Sequence, residues 1–146
     1  MRLVVALLSV AWVAAAAAQT KTPQTNTPQT KTPTGQSVAD AATFGAVATL
    51  APLCGLRDEA WSFDLRRAAM QTATGSTATD DAGLSQAAGN NQAEAALGYG
   101  DMEALEDFAA DTPTVTCASL QNNPALGRAD AAVARFRRRR DGKPVG

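Results

Sequence analysis

Residues 123–140 read NPALGRADAAVARFRRRR, and they contain the clearest helix signal of the chain. Asn123 followed by Pro124 is typical of a helix start, because the Asn side chain accepts hydrogen bonds from free backbone amides and proline fits the first turn. Four apolar residues then recur at the spacing of one helical face, namely Leu126, Ala129, Val133 and Phe136. The stretch therefore predicts an amphipathic helix that buries one face and ends in a run of arginines.

The sequence that precedes this stretch also predicts helices. A first helix is expected from Ser37 until Pro52 ends or kinks it, and a second from Leu56 to about Thr72. Residues 74–91 are rich in glycine and small polar residues, so we expect a long loop with at most one helical turn in its second half. No stretch predicts a strand of useful length.

Two later regions are expected to break or start helices. A helix that begins near Gln92 is predicted to break at Gly98 and Gly100, and Asp101 is then expected to cap the next one. Thr112, which precedes a proline, predicts the start of a further short helix, and an extended conformation is the alternative because the segment is rich in Thr and Val. The fold class is thus predicted to be all-α, a small irregular bundle of four to five short helices.

Composition limits both the core and the chemistry. The chain has 146 residues, and alanine supplies 33 of them while isoleucine is absent. Alanine buries little apolar area, so the domain is expected to be marginal on buried area alone. Histidine is also absent, which excludes Ser-His-Asp and Cys-His catalysis and any His-ligated metal or haem. We therefore predict no cofactor and no metal site.

The N-terminus has the pattern of an export signal. Arg2 precedes an apolar run, LVVALLSVAWV at 3–13, and the small residues Ala16 and Ala18 are typical of a cleavage site. The apolar run is shorter than the roughly 20 residues that span a bilayer, which disfavours a membrane anchor. Residues 1–18 are therefore predicted to be a signal peptide, and the mature protein to be secreted or periplasmic without a membrane span.

Residues 19–36 contain a five-residue repeat with the sequences TKTPQ, TNTPQ and TKTPT. Regular prolines and a lack of apolar side chains predict a disordered linker. The predicted organisation is therefore a signal peptide, this linker, a helical domain at 37–137 and a flexible basic tail at 138–146.

Cys54 and Cys117 are the only two cysteines of the chain. An even number of cysteines in a small exported protein predicts a disulfide. The alternatives are two buried free thiols or a redox pair, although the C-x-x-C spacing typical of redox pairs is absent. A bridge between these residues would close a long loop and stabilise a thin core.

Charge is distributed unevenly along the chain, whose formal net charge is −1. The helical domain is acidic, whereas the C-terminal end is basic and contains Arg135, Arg137, Arg138, Arg139 and Arg140. These arginines either contact an anionic surface or polymer, or offset the helix dipole and the acidic domain. Aromatic residues that would stack on bases do not alternate with them, so specific nucleic-acid binding is not expected.

The acidic clusters at 80–81 and 101–111 give a weaker signal. Neither has the spacing of a calcium-binding loop, and a carboxylate-pair hydrolase would need a cleft that so small a domain hardly provides. A solvated helix face is the favoured interpretation of both clusters.

Several large apolar residues occur at helical spacing in the middle of the chain. Trp61, Phe63 and Tyr99 either line a ligand pocket or belong to the core, and the helical spacing favours the core. Met102, Leu105 and Ala109 are predicted to form an apolar stripe on one helix face, with Phe108 at its edge.

Three functions remain open at this point. We expect a non-enzymatic exported protein, a binding or structural module that acts on an unknown protein or polymer of the cell envelope, with chaperone-like activity as one form of it. The first alternative is attachment to an anionic surface through the basic tail. The second is a small histidine-free enzyme, which would gather in one pocket several of the residues Asp64, Arg66, Arg67, Asp101 and Ser119.

Overall fold

Six α-helices and no strand are present in residues 35–144, the part of the chain that the computed structural model describes. In chain order the helices are α1 (Gly35–Leu53), α2 (Glu59–Thr74), α3 (Asp81–Ser85), α4 (Asn90–Phe108), α5 (Cys117–Gln121) and α6 (Pro124–Arg140). The predicted all-α class is therefore confirmed. The predicted signal peptide and nearly all of the predicted linker lie outside the described residues. Within residues 35–144, no helix combines the length and the apolar character needed to cross a bilayer.

The central helix is α1, which packs most extensively against α4 and next against α2, while α6 packs on α2. Half of the buried apolar residues are alanines, and the largest fully buried side chains are those of Phe136, Leu65 and Val133. Alanine lets helices approach closely but buries little area per residue. The core is therefore as thin as the composition predicts.

The contact between α1 and α4 corrects the predicted helix break at Gly98 and Gly100, because α4 is continuous through both glycines. A Cβ atom on Gly100 would clash with the carbonyl oxygen of Ala42, and one on Gly45 would clash with that of Leu97. Gly98, in contrast, has no neighbour that an added Cβ would touch. Close packing of the two helices thus accounts for Gly45 and Gly100, and it offsets the low helix propensity of Gly100.

The helices begin where a side chain caps the free amides. As predicted, Asn123 caps α6 and accepts a hydrogen bond of 2.9 Å from the backbone amide of Ala125. α2 begins later than predicted, after the cap residue Asp58. α5 also begins later, because Thr116 caps it and Pro113 lies in the preceding loop. The side-chain oxygen of a cap residue accepts a hydrogen bond from a free backbone amide of the first turn, whereas a proline only removes one such amide. The cap residue therefore decides where the helix starts.

The predicted disulfide between Cys54 and Cys117 is confirmed. Cys54 directly follows α1, and Cys117 is the first residue of α5, with 5.3 Å between their Cα atoms. The two cysteines are 63 positions apart in the chain, and the loop that they close contains α2, α3 and α4. The bridge therefore fixes short α5, which has few other contacts, to the end of the central helix.

Candidate functional site

The arginines that open the predicted basic tail, residues 138–140, belong to α6, which extends to Arg140 rather than ending near residue 137. Arg137 and Arg140 both bind the carboxylate of Asp64 on α2, at 2.6 and 3.0 Å. The Asp64 side chain is only 7% exposed, whereas both arginine side chains are more than 40% exposed. Two of the five arginines predicted to contact an anionic surface therefore hold α6 on α2.

The other three arginines of the cluster are less engaged. Arg139 donates a hydrogen bond of 3.3 Å to Gln71 on α2, and Arg138 is half-buried with a buried Nε that has no hydrogen-bond acceptor. Arg135 is exposed. The structure therefore divides the predicted basic cluster into a part that stabilises the fold and a smaller part that faces solvent.

A second ion pair connects the segment just before α2 to the middle of α6. Arg57 donates two hydrogen bonds to the carboxylate of Asp130, and the indole Nε1 of Trp61 donates a third at 3.1 Å. The hydrogen bond from Arg57 holds the pKa of the Asp130 carboxyl below its ordinary value. The guanidinium of Arg57 also lies 5.7 Å from the centre of the Trp61 ring. Trp61 is buried, as the core interpretation of this residue predicts.

A groove of about 570 Å³ lies between α2, α3 and α4. Its apolar lining consists mainly of Phe63, Met70, Leu84 and Leu97. Its polar lining includes Arg66, Arg67, Asp81 and Asp101. Three of the five residues expected in an enzyme pocket, Arg66, Arg67 and Asp101, thus share one groove, whereas Asp64 and Ser119 do not line it.

The two arginines of this groove are each bound by a carboxylate. Arg66 binds Asp101 at 2.6 Å, and both residues also bind the hydroxyl of Thr49 on α1. Asp101 is therefore a helix-interior residue that links three helices, rather than the predicted N-cap. Arg67 makes two hydrogen bonds to Asp81 at the start of α3, and they hold the pKa of the Asp81 carboxyl below its ordinary value. The arrangement favours a structural use of these charges.

The solvent-facing side of α4 is unusually apolar. Tyr99, Met102 and Leu105 are 58%, 55% and 46% exposed, and Phe63 of α2, which lines the adjacent groove, is 61% exposed. The core interpretation of Phe63 and Tyr99 is therefore wrong. The buried side of α4 consists instead of small residues and one leucine, namely Ala93, Ala96, Leu97, Gly100 and Ala104. Close contact with α1 requires the small face, so the larger side chains point outward.

We define the outer face of α4 as Ala95, Gly98, Met102 and Leu105, all of which are exposed. They occur at i, i+3, i+7 and i+10, which places them in one stripe along the helix. Such a stripe is normally the buried side of an amphipathic helix. In residues 35–144 nothing covers it, which makes it the candidate functional site.

Comparison with known proteins gives no further assignment, since the chain matches no protein-family model, no curated protein and no solved structure. Within residues 35–144, no group of three or more acidic, cysteine or histidine side chains has a geometry that could hold a metal ion.

Proposed function

We propose that this protein is an exported, non-enzymatic binding protein that holds apolar segments of other polypeptides on the outer side of α2 and α4. One observation carries the proposal: Phe63, Tyr99, Met102 and Leu105 are each about half exposed in a domain whose core contains few large side chains. Because each of these side chains is already about half buried, covering its exposed half with a partner stabilises a complex by roughly 1 kcal/mol per side chain before the cost of association.

The use of the charged residues supports this proposal over the enzyme alternative. Arg57, Arg66 and Arg67 are each bound by a carboxylate, and Arg137 shares Asp64 with Arg140. Charges that are engaged in this way hold helices together and would have to be released before they could act on a substrate. The apolar surface, in contrast, has no partner within residues 35–144.

The predicted export signal and the disulfide support a location outside the reducing cytosol, where a bridge such as Cys54–Cys117 persists. Attachment to an anionic surface through α6 is the alternative. Fewer arginines of α6 are free for such attachment than the sequence predicts, because Asp64 binds Arg137 and Arg140. A partner polypeptide is therefore the better-supported ligand.

The proposal is tested by mixing the purified chain, in non-reducing buffer, with a client enzyme that aggregates on heating, and by following light scattering. We expect the wild-type chain to suppress scattering at near-equimolar ratio. The double variant Phe63→Ser with Met102→Ser should lose most of this effect. The matched control is Leu53→Ser, which removes a residue that is also 58% exposed but lies at the end of α1.

Circular dichroism establishes that each variant is folded before its activity is compared. If the wild-type chain fails to suppress aggregation, or if Leu53→Ser is as damaging as the double variant, the proposed function is wrong.

A further inference from the structure

We propose that the outer face of α4 binds a cationic amphipathic helix of a partner polypeptide. This inference rests on the proposed function and adds to it the chemistry of the ligand. It is carried by three features of α4: the shape of the apolar stripe, the charges along its two edges, and the energetic cost of those charges to the free protein.

The stripe has the form of a helix-docking surface. Ala95 and Gly98 make its N-terminal half flat, whereas Met102 and Leu105 project from its C-terminal half. A partner helix can approach closely over the small residues and pack its apolar side chains against the larger ones. The flexible thioether of Met102 also adapts to partner side chains of different shape.

The charged residues that α4 itself contributes along the stripe are all negative, while Arg66 and Arg67 across the adjacent groove are paired with Asp101 and Asp81. α4 contains five carboxylates, and it has no lysine or arginine. Helical spacing places Glu94 along one edge of the stripe and Glu106 along the other, with Glu103 beyond it. All three glutamates are exposed, and within residues 35–144 none makes a hydrogen bond or ion pair. A partner helix with lysines or arginines beside its apolar face complements both edges.

The carboxylates at the C-terminal end of α4 destabilise the helix when no partner is bound. Glu103, Glu106 and Asp107 lie in its last two turns, where the helix dipole disfavours negative charge, and no basic residue offsets them there. Glu103 also lies three and four positions from Glu106 and Asp107, at the spacings where like charges repel. Asp107 has a local use, because its carboxylate binds Thr114 and Val115. No such contact accounts for Glu103 and Glu106, whereas a bound cationic helix would.

A second copy of this chain is the main competing occupant, because α6 is itself a basic amphipathic helix. Its apolar face is buried in the core through Ala129, Val133 and Phe136, and Arg137 and Arg140 are bound to Asp64. α6 therefore cannot present both an apolar face and a full set of cations to another molecule. A separate partner helix fits the outer face better.

The test measures binding of two labelled peptides to the purified full chain by fluorescence anisotropy. Both are helical peptides of about 18 residues, matched to α4 in length, with leucines along one face. One carries lysine at all other positions and the second carries glutamate. We expect the lysine peptide to bind at least about tenfold more tightly, with an affinity that falls as salt is raised.

Two sets of variants locate the site. Met102→Ser with Leu105→Ser should weaken binding of the lysine peptide by about tenfold or more, whereas Leu53→Ser should leave it unchanged. Glu94→Gln with Glu106→Gln should weaken it several-fold and reduce its salt dependence, whereas Glu59→Gln, an exposed glutamate of α2, should do neither.

Each other outcome overturns the inference in a distinct way. Equal binding of the two peptides at the outer face would leave the proposed function standing but show that charge does not select the partner. Absence of peptide binding from a chain that still suppresses client aggregation would place the binding surface elsewhere. A concentration-dependent dimer that is lost in Met102→Ser with Leu105→Ser would assign the outer face to a second copy.

Discussion

At the scale of single residues, the fold depends on a few carboxylates that each bind arginines from another helix. Asp64 is the most buried of them and joins α2 to the end of α6 through Arg137 and Arg140. Burying a carboxylate is costly unless its oxygens are hydrogen-bonded, and here both are. Part of the basic run at the end of α6 therefore serves to bind and neutralise one buried carboxylate.

Replacing Asp64 with asparagine should lower the free energy of unfolding by about 1–3 kcal/mol, because the amide has no negative charge and keeps only one of the two oxygens that accept from Arg137 and Arg140. The loss stays below that of a fully buried pair because the arginines can reach water. Urea unfolding followed by circular dichroism measures the change. The control is Asp141→Asn, because the exposed carboxylate of Asp141 contacts only Arg140, at 3.4 Å. This substitution should lower the free energy of unfolding by less than about 0.5 kcal/mol. Equal effects of the two variants would contradict this role of Asp64.

At the scale of helices, the contact of α1 with α4 decides which side of α4 is buried. Gly45 and Gly100 bring each helix against a backbone carbonyl of the other, and buried alanines such as Ala93 and Ala96 extend the contact. Only a face of small residues permits this distance. Met102 and Leu105 are therefore excluded from the core, and the outer face of α4 results from how the inner face packs.

Adding one methyl group at Gly100 or at Gly98 should change stability in opposite directions. Gly100→Ala should lower the free energy of unfolding by about 1–3 kcal/mol, because the new Cβ meets the carbonyl of Ala42. Gly98→Ala should raise it by roughly 0.5–1 kcal/mol, because alanine favours the helix and nothing obstructs its side chain. Thermal unfolding of both variants checks this. Two changes of the same sign would show that the close contact between α1 and α4 is absent.

At the scale of the whole molecule, a thin core is combined with a long covalent loop. Half of the buried apolar residues are alanines, so the area buried per residue is small. The bridge between Cys54 and Cys117 restricts the unfolded chain across 63 positions. The free energy that such a restriction contributes to folding is comparable with the entire net stability of many small domains.

Cys54→Ser combined with Cys117→Ser should lower the free energy of unfolding by about 4 kcal/mol, because the unfolded chain regains the entropy of the open loop. Thermal and urea unfolding in non-reducing buffer measure the loss. A thiol reductant should reproduce this loss in the wild-type chain and leave the double variant unchanged. Wild-type stability that does not respond to the reductant would show that the core folds without the bridge.

The candidate site illustrates how far the sequence allowed prediction. Helical spacing correctly placed Met102 and Leu105 in one stripe, but an apolar stripe alone does not reveal whether it faces a core or solvent. The signal that could have resolved this is the second stripe of the same helix, made of Ala93, Ala96 and Gly100, because small residues are typical of close helix contacts. The predicted enzyme pocket groups Arg66 and Arg67 with Asp101, which does line the same groove, but nothing in the sequence indicates that Asp81 pairs with Arg67.

Some properties of this protein follow from its amino-acid sequence alone, because they depend on local chemistry or because only one outcome is possible. The helical class, the cap that starts α6 and the pairing of the only two cysteines are of this kind. The burial of one side of α4 and the capture of Arg137 and Arg140 by Asp64 are different. They depend on residues far apart in the chain, which come into contact only when the helices pack. The helix faces that pack most closely are then buried, and the remaining faces are exposed to solvent.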